Sequence, residues 1–122
     1  MLKTLVLLKR RPGMSMEEFV DYYENHHAKL GEKYLLPRVK RYLRRYVHPE
    51  NNPITGHAEE LDFDVVMEMW WDSREDFDEA MKVISSEEVR IQFFEDEERI
   101  FNSHANRVFT VEEFDSKIGE WG

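Results

Sequence analysis

Two adjacent histidines, His26 and His27, are the residues of this chain best suited to proton transfer. Imidazole is the one side chain whose unperturbed pKa lies near neutral pH, so it serves as a general acid or a general base. Both residues fall near the apolar stripe of a predicted helix. Because successive helical residues diverge by about 100°, each lies roughly 50° from the centre of the stripe, on opposite sides. Periodicity alone therefore leaves both histidines open as the candidate.

Asp64, Glu68 and Trp70 form a second group, on one face of a predicted strand over residues 61–71 in which side chains alternate between two faces. A carboxylate beside an imidazole holds its tautomer and stabilises its cationic form. An indole ring can form one wall of a site for a flat aromatic ligand, although it can equally belong to a packed core. Ion pairing with arginines of the flanking strands is the competing interpretation for the two carboxylates.

Three further polar residues are candidates for ligand contacts. Tyr46 and His48 share one face of a predicted strand over residues 39–48, where they could orient a polar ligand. His104 precedes the last predicted strand, which covers residues 105–114. Ordinary packing is the alternative for Tyr46, and a solvated position is the alternative for His104.

The spacing of the histidines predicts no metal site. Adjacent helical residues such as His26 and His27 diverge too far to bind one ion together. No helical His-x-x-x-His or His-x-x-Glu pair with a supporting third ligand occurs in the sequence. The chain has no cysteine, which excludes disulfides, thiolate metal ligands and cysteine nucleophiles. The glycine patterns that bind nucleotides are absent as well. We therefore expect neither a catalytic metal ion nor a bound nucleotide.

The order of the predicted elements indicates the fold class. Ser15 stands three residues before Glu18, a capping box that opens a helix, and Pro37 stops that helix. A second helix begins after Ser73, and a third covers residues 87–101. Together with strands over residues 2–9, 39–48, 61–71 and 105–114, the order is βαββα(α)β. This order predicts an α+β, ferredoxin-like domain: a four-stranded antiparallel sheet with helices on one face.

Several segments of the chain resemble the EthD-domain family. Residues 9–15, followed by Glu18-Phe19, Tyr22-Tyr23 and His27-Ala28, are similar to the family's opening strand, basic Pro-Gly turn and first helix. Residues 63–72 resemble its third strand, and residues 77–81 resemble the element that follows. The resemblance runs from residue 2 to about residue 109. It implies one EthD-like domain over residues 1–122 that forms a cofactor-free dimeric α/β barrel, with a pocket between the sheet and the helices.

The resemblance also implies roles for particular residues. It selects His27 over His26 as the acid/base group and ranks Asp64 above Glu68 as its charged partner. The expected substrate-binding residues are Tyr23, Tyr46, His48, Glu68, Trp70 and His104. Relatives include dehydratases and decarboxylases, so the resemblance implies a lyase acting on a hydroxylated aromatic or polyketide-like molecule. A non-catalytic accessory protein of an oxidative degradation pathway and a cofactor-free oxygenase stay open as alternatives.

Charge and hydropathy limit the partners of the chain. Its net charge is −9, and the residues up to Pro49 carry +6 whereas the remainder carries −15. Nucleic-acid binding needs clustered Lys and Arg, which this balance does not favour. The apolar runs are too short to cross a bilayer and the N-terminus is unlike a signal peptide, so we expect a soluble cytoplasmic protein. Because helices cover only one of two apolar sheet faces, we expect a homodimer that packs sheet against sheet.

Overall fold

The structure, a computed structural model, describes residues 1–119 and consists of an antiparallel sheet with helices packed on one face. The strands are β1 (Leu2–Leu8), β2 (Val39–Tyr46), β3 (Val65–Trp71) and β4 (Arg107–Thr110). They lie in the order β2-β3-β1-β4, and each neighbouring pair is antiparallel. This is the strand order of a ferredoxin-like fold, so the predicted α+β class is confirmed.

The helical segments follow the predicted order with one irregularity. They are α1 (Met16–Tyr22), a π-helical turn (Tyr23–His27), α2 (Ala28–Leu35), α3 (Arg74–Ser85) and α4 (Glu87–Ile100). The capping box is present: the Ser15 hydroxyl accepts a hydrogen bond from the Glu18 backbone N–H, and the Glu18 carboxylate accepts one from the Ser15 N–H. The Ser73 hydroxyl caps α3 in the same way, through the Asp76 N–H. The π-helical turn interrupts a helix that the sequence predicts as continuous.

One face of the sheet packs against the helices and carries the core. The strand residues at alternate positions point into this core, as the period of two predicts. The buried side chains of β1 and β3 are Thr4, Val6, Leu8, Val65, Met69 and Trp71. Phe19, Tyr23 and Leu35 from the helices pack against them.

The opposite face of the sheet, which we call the open face, is covered by no helix among residues 1–119. Leu5, Leu7, Leu43 and Val66 occupy the middle of this face and are only partly exposed. Charged and aromatic side chains surround them. These are Lys3, Arg41, Arg45, Glu68, Trp70, Arg107 and Phe109.

All four strands are shorter than the sequence predicts, β1 by a single residue. β3 begins at Val65 rather than at residue 61, and β2 ends at Tyr46, so His48 lies beyond it. β4 covers only Arg107–Thr110, the residues that pair with β1 from Leu7 to Thr4. Among residues 1–119 no helix combines the length and the apolar character needed to cross a membrane.

Candidate functional site

The candidate site is built around a buried histidine at the end of the π-helical turn. His27 is 6% exposed, and its Nδ1 lies 2.7 Å from Oδ2 of Asp96 on α4. Asp96 is 7% exposed, and its other oxygen, Oδ1, accepts a hydrogen bond of 2.6 Å from the Tyr22 hydroxyl. We call His27, Asp96 and Tyr22 the histidine site. It joins the first helical segment to the last.

Aromatic rings surround the imidazole of His27. The ring centroids of Tyr23 and Phe101 lie 5.0 and 4.9 Å from it, and that of Phe93 lies 6.2 Å away, all in edge-to-face arrangements. Such surroundings exclude water and lower the local dielectric, which strengthens the hydrogen bond between the imidazole and the carboxylate. The same surroundings would make an unpartnered charge costly.

The environment of Asp96 keeps it ionised. Burial raises the pKa of this carboxyl, but hydrogen bonds from His27 and Tyr22 outweigh burial and hold the pKa below its ordinary value. An ionised carboxylate only accepts hydrogen bonds, so Nδ1 of His27 carries the proton. The neutral imidazole then has its lone pair on Nε2. No group among residues 1–119 hydrogen bonds to Nε2, and this atom is not sealed from solvent. The arrangement is that of an oriented general base.

Asp64, the expected partner of His27, makes different contacts. Its Oδ2 accepts a hydrogen bond of 2.9 Å from the backbone N–H of Arg10, and the Lys9 ammonium lies 3.7 Å from the same oxygen. Asp64 therefore joins the turn after β1 to the start of β3. Asp64 does not contact His27 in this structure, and the carboxylate that reaches the imidazole comes from α4.

The sequence does contain a signal for Asp96. It follows Phe93 by three residues and precedes Ile100 by four, so it occupies an inner position of the apolar stripe of α4. A carboxylate at a buried helical position requires hydrogen-bond partners. That requirement predicts a polar contact for Asp96, although it does not identify His27 as the partner.

Glu68 and Trp70 lie on the open face, so the sheet separates them from His27. The Trp70 indole N–H donates to Glu68, and the cations of Lys3 and Arg41 lie 4.2 and 4.8 Å from the Trp70 ring. The pKa of Glu68 is lowered, first by the hydrogen bond from Trp70 and also by Arg45, which lies 3.2 Å away. Within one chain these two residues cannot share a pocket with His27.

Tyr46 belongs to a network beside the histidine site. Its hydroxyl donates to Glu24 of the π-helical turn, and Arg44 donates two hydrogen bonds, of 2.6 and 3.0 Å, to the same carboxylate. The pKa of Glu24 is lowered, chiefly by Arg44. Tyr23 is fully buried, and its hydroxyl lies 3.3 Å from that of Tyr42. These contacts join the π-helical turn to β2.

The remaining four histidines lie outside the site, and His57 is exposed in the loop between β2 and β3. His26 is exposed and stacks on Tyr22, with ring centroids 4.7 Å apart. His48 is exposed after β2, and His104 is exposed in a short 3-10 turn, Ser103–Ala105. Of the expected substrate-binding residues, only Tyr23 contacts the His27 ring.

A cleft of about 630 Å³ lies away from the histidine site. It opens near the end of β1, between the segment before β3 and the segment that leads into β4. Its lining includes Lys9, Phe63 and Arg107, and none of the three residues of the histidine site. Among residues 1–119, His, Asp and Glu side chains form no group of three that could hold a metal ion.

Comparison with known proteins adds a family and several structural relatives. A family model described as EthD domain matches residues 11–104. An ethyl tert-butyl ether D (EthD) family protein from Bacillus halodurans has a TM-score of 0.62 and 21% identity, over 93% of this chain and 100% of that chain. A protein from Arabidopsis thaliana has a TM-score of 0.60 and 14% identity, over 97% and 100%. A dimeric ferredoxin-like protein from an uncultured marine organism has a TM-score of 0.53 and 16% identity, over 94% and 98%. No curated protein sequence matches the chain.

Proposed function

Since the chain belongs to the EthD domain family, we propose that it is a cofactor-independent enzyme in which His27 transfers protons on a small organic substrate. The proposed class is a lyase that removes water or carbon dioxide from a hydroxylated aromatic or polyketide-like molecule. The proposal depends on one observation, the buried 2.7 Å contact between His27 Nδ1 and Asp96 Oδ2. That contact leaves Nε2 as the basic atom.

The residues of the histidine site have distinct roles in this proposal. Nε2 of His27 takes a proton from a carbon next to a carbonyl group, which makes the imidazole cationic. Asp96 is already ionised and stabilises that cation, as the carboxylate of any oriented acid/base pair does. Tyr22 holds the carboxylate in place through its hydroxyl. A positioned acid/base group of this kind contributes about 10²- to 10⁴-fold to a rate.

The relatives support a small-molecule substrate in general terms. The Bacillus halodurans protein is named for ethyl tert-butyl ether, a small organic compound. The fold by itself would not identify a reaction, because one fold hosts many chemistries. The geometry of His27 and Asp96 is therefore the more specific support.

A cytoplasmic homodimer is the proposed assembly. The open face presents Leu5, Leu7 and Leu43 in a contiguous partly exposed patch, and a second copy would cover it. The ferredoxin-like relative from the marine organism is described as dimeric, which supports this arrangement.

The test of the function is turnover, followed by mass spectrometry. A panel of phenolic and polyketide-like hydroxyketones is incubated with the wild type and His27→Ala, with and without oxygen. His26→Ala is the matched control, since His26 is the adjacent exposed histidine. We expect loss of water or carbon dioxide that is independent of oxygen, absent in His27→Ala and retained in His26→Ala.

Two other outcomes would contradict the proposed lyase function and support a different one. Products that require oxygen would make the chain a cofactor-free oxygenase. Binding of panel compounds without any product would make it an accessory binding protein. Unfolding of His27→Ala must be measured in parallel, because a variant that fails to fold would lose activity for an unrelated reason.

A further inference from the structure

Residues 111–114 follow β4, and we call this segment the arm. All four residues are exposed, and Phe114 is 94% exposed although a large aromatic ring is usually buried. The ion pair that joins the arm to residues 1–110 is formed by Glu113 and Lys3, 2.8 Å apart. Lys3 lies on the open face, beside Trp70. This contact therefore holds the arm on the side of the sheet where a second copy is proposed.

The strand at the other edge of the sheet, β2, has a charge complementary to that of the arm. It carries four Lys and Arg residues and no acidic residue, whereas the arm carries two glutamates and no basic residue. Three of the four cations are paired with carboxylates of their own chain. The fourth, Arg41, is exposed over the Trp70 ring and forms no ion pair within residues 1–119. A carboxylate of a second copy has access to it.

Two-fold symmetry allows two ways of placing one sheet face on another. An axis along the strands sets the β4 edge of one copy beside the β2 edge of the other, at the same position along the strands. An axis across the strands sets the two β4 edges together, in opposite directions. The first arrangement brings the arm to the strand with four cations, and the second brings it to β4, whose one cation is Arg107. Complementary charge favours the first.

The sheet register places Arg41 at the end of the sheet where the arm begins. Thr110, the last residue of β4, lies opposite Thr4 of β1. The next residue of β1, Lys3, lies opposite Trp70, which in turn lies opposite Arg41. Arg41 is therefore one residue beyond Thr110 in the direction in which the arm continues. Four extended residues reach about 13 Å, and packed sheets lie about 10 Å apart. The arm is long enough to span that distance.

We propose that in the homodimer the arm of each chain crosses to the second copy and lies along the start of its β2. Glu112 pairs there with Arg41 of the second copy, and Phe114 covers Leu43 of the same copy. The two-fold axis repeats both contacts. This inference rests on the proposed homodimer and adds the contacts that fix its axis. It also accounts for the exposure of Phe114 in a single chain, because burial of such a ring is favourable.

The first experiment is disulfide trapping, which the chain permits because it has no cysteine of its own. Phe114→Cys and Arg41→Cys are co-expressed, oxidised and separated on a non-reducing gel. A disulfide needs Cα atoms within about 7 Å of each other. We expect a covalent dimer from the co-expressed pair and none from either variant alone, because an axis along the strands keeps identical residues apart.

Phe114→Cys with Arg107→Cys is the matched control for the trapping experiment. Arg107 is also an exposed residue of the open face, but it begins β4. The control pair should stay unlinked. A covalent dimer from the control pair, or from Phe114→Cys alone, would indicate the axis across the strands and overturn the proposal.

The second experiment reverses the charges of the proposed ion pair. Glu112→Lys should raise the dissociation constant of the dimer about tenfold, because like charges then face each other, and Arg41→Glu should do the same. The double variant should return close to the wild-type constant, as measured by analytical ultracentrifugation. Glu50→Lys, an exposed change beyond the other end of β2, should have no effect. Failure of the double variant to recover would overturn the pair.

The contribution of Phe114 is measured in the same assay. Phe114→Ala should raise the dissociation constant about tenfold, as loss of an aromatic residue at an interface does. Ile54→Ala is the control, since Ile54 is 90% exposed in the loop between β2 and β3. An equal effect of the two substitutions would count against the arm.

The outcomes separate the arm from the dimer itself. A dimeric wild type that shows neither the covalent dimer nor the charge recovery would overturn the arm and leave the sheet-to-sheet dimer standing. A monomeric wild type would end both. A covalent dimer together with recovery in the double variant would support both.

Discussion

At the scale of single residues, Asp96 determines what His27 can do. A neutral imidazole can carry its proton on either nitrogen, and the buried carboxylate at 2.7 Å selects Nδ1. The hydroxyl of Tyr22 supplies a second donor, so both oxygens of the carboxylate are hydrogen-bonded despite their burial. Removing His27 or Asp96 would leave the other buried side chain without its hydrogen bond in an aromatic environment, which costs free energy of folding.

The substitution Asp96→Asn tests the pair directly. An amide keeps the size of the carboxyl but has no charge to stabilise an imidazolium, so we expect turnover to fall about 10²- to 10⁴-fold. The free energy of unfolding should fall by about 1.5–3 kcal/mol, the usual range for a hydrogen bond to a charged group. Turnover assays and urea unfolding measure the two effects. The exposed Asp115→Asn is the control, and an unchanged rate in Asp96→Asn would contradict the role of the pair.

The lowered pKa of Asp96 also predicts the behaviour of the protein in acid. A depressed carboxyl pKa contributes stability above the unfolded value, about 3.9, and that stability is lost as the pH falls through the lower folded pKa. Asp96→Asn removes this titration. Its free energy of unfolding should therefore decline less steeply below about pH 4 than that of the wild type, as measured by urea unfolding at successive pH values.

Glu97 should show the opposite dependence on pH. A raised carboxyl pKa means that its contribution is fully present below the unfolded value, about 4.3, and is lost as the pH rises through the folded pKa. Burial is the main cause of the raised pKa; the charge of His27 opposes it and that of Asp96 adds to it. We expect Glu97→Gln to have a higher Tm than the wild type at pH 8 and a similar Tm near pH 4. A lower Tm at pH 8 would contradict the raised pKa.

At the scale of elements, the π-helical turn explains why only one of the adjacent histidines is buried. A π turn holds more residues than an α turn, so it changes which positions face the core. Tyr23 and His27, at its two ends, are both buried, whereas His26 is exposed on Tyr22. Glu24, within the same turn, is joined to Arg44 and Tyr46 of β2. Such turns are frequent at functional sites.

The capping box at the start of α1 sets where this helix begins. Ser15→Ala removes the side-chain acceptor of the Glu18 N–H and should lower the free energy of unfolding by about 1 kcal/mol. Urea unfolding measures the loss, with the exposed Ser116→Ala as control. Because the box lies outside the histidine site, turnover at saturating substrate should remain at the wild-type level. An equal loss in both serine variants would rule out a capping effect.

At the scale of the whole molecule, the open face is a partly apolar sheet surface that no helix among residues 1–119 covers. Charged groups flank its apolar centre. Lys3 and Arg41 place their cations over the Trp70 ring, and Arg45 forms an ion pair with Glu68. This pattern of an apolar middle and a charged rim is typical of a surface that another protein covers. The histidine site lies on the helical side, so a sheet-to-sheet dimer would not cover it.

The substitution Leu5→Lys tests the proposed dimer. Leu5 lies in the central strand β1, opposite Glu68 and Phe109 in the sheet register. A charge there would be desolvated at an interface between sheets, so we expect a monomer by light scattering at micromolar concentration. Glu79→Lys, on the exposed side of α3, should stay dimeric like the wild type. A wild type that is itself monomeric would end the proposal.

The sequence by itself determined the features that depend on near neighbours. Periods of two and of about 3.6 residues predicted the strands, the helices and the faces that they bury, and a hydroxyl three residues before a glutamate predicted the start of α1. The order of these elements was sufficient for the ferredoxin-like class. The strand ends were predicted less well, because pairing with a neighbouring strand decides them, as the short β4 shows.

Only the tertiary structure decided which groups meet. Asp96 is 69 residues from His27, and its contact depends on how α4 packs against the π-helical turn, which no local pattern encodes. Asp64 matched the expected chemistry but lies where β3 begins, and Glu68 and Trp70 lie across the sheet from the imidazole. The type of a residue limits the chemistry that it can perform. Its partner is chosen by packing over the whole chain.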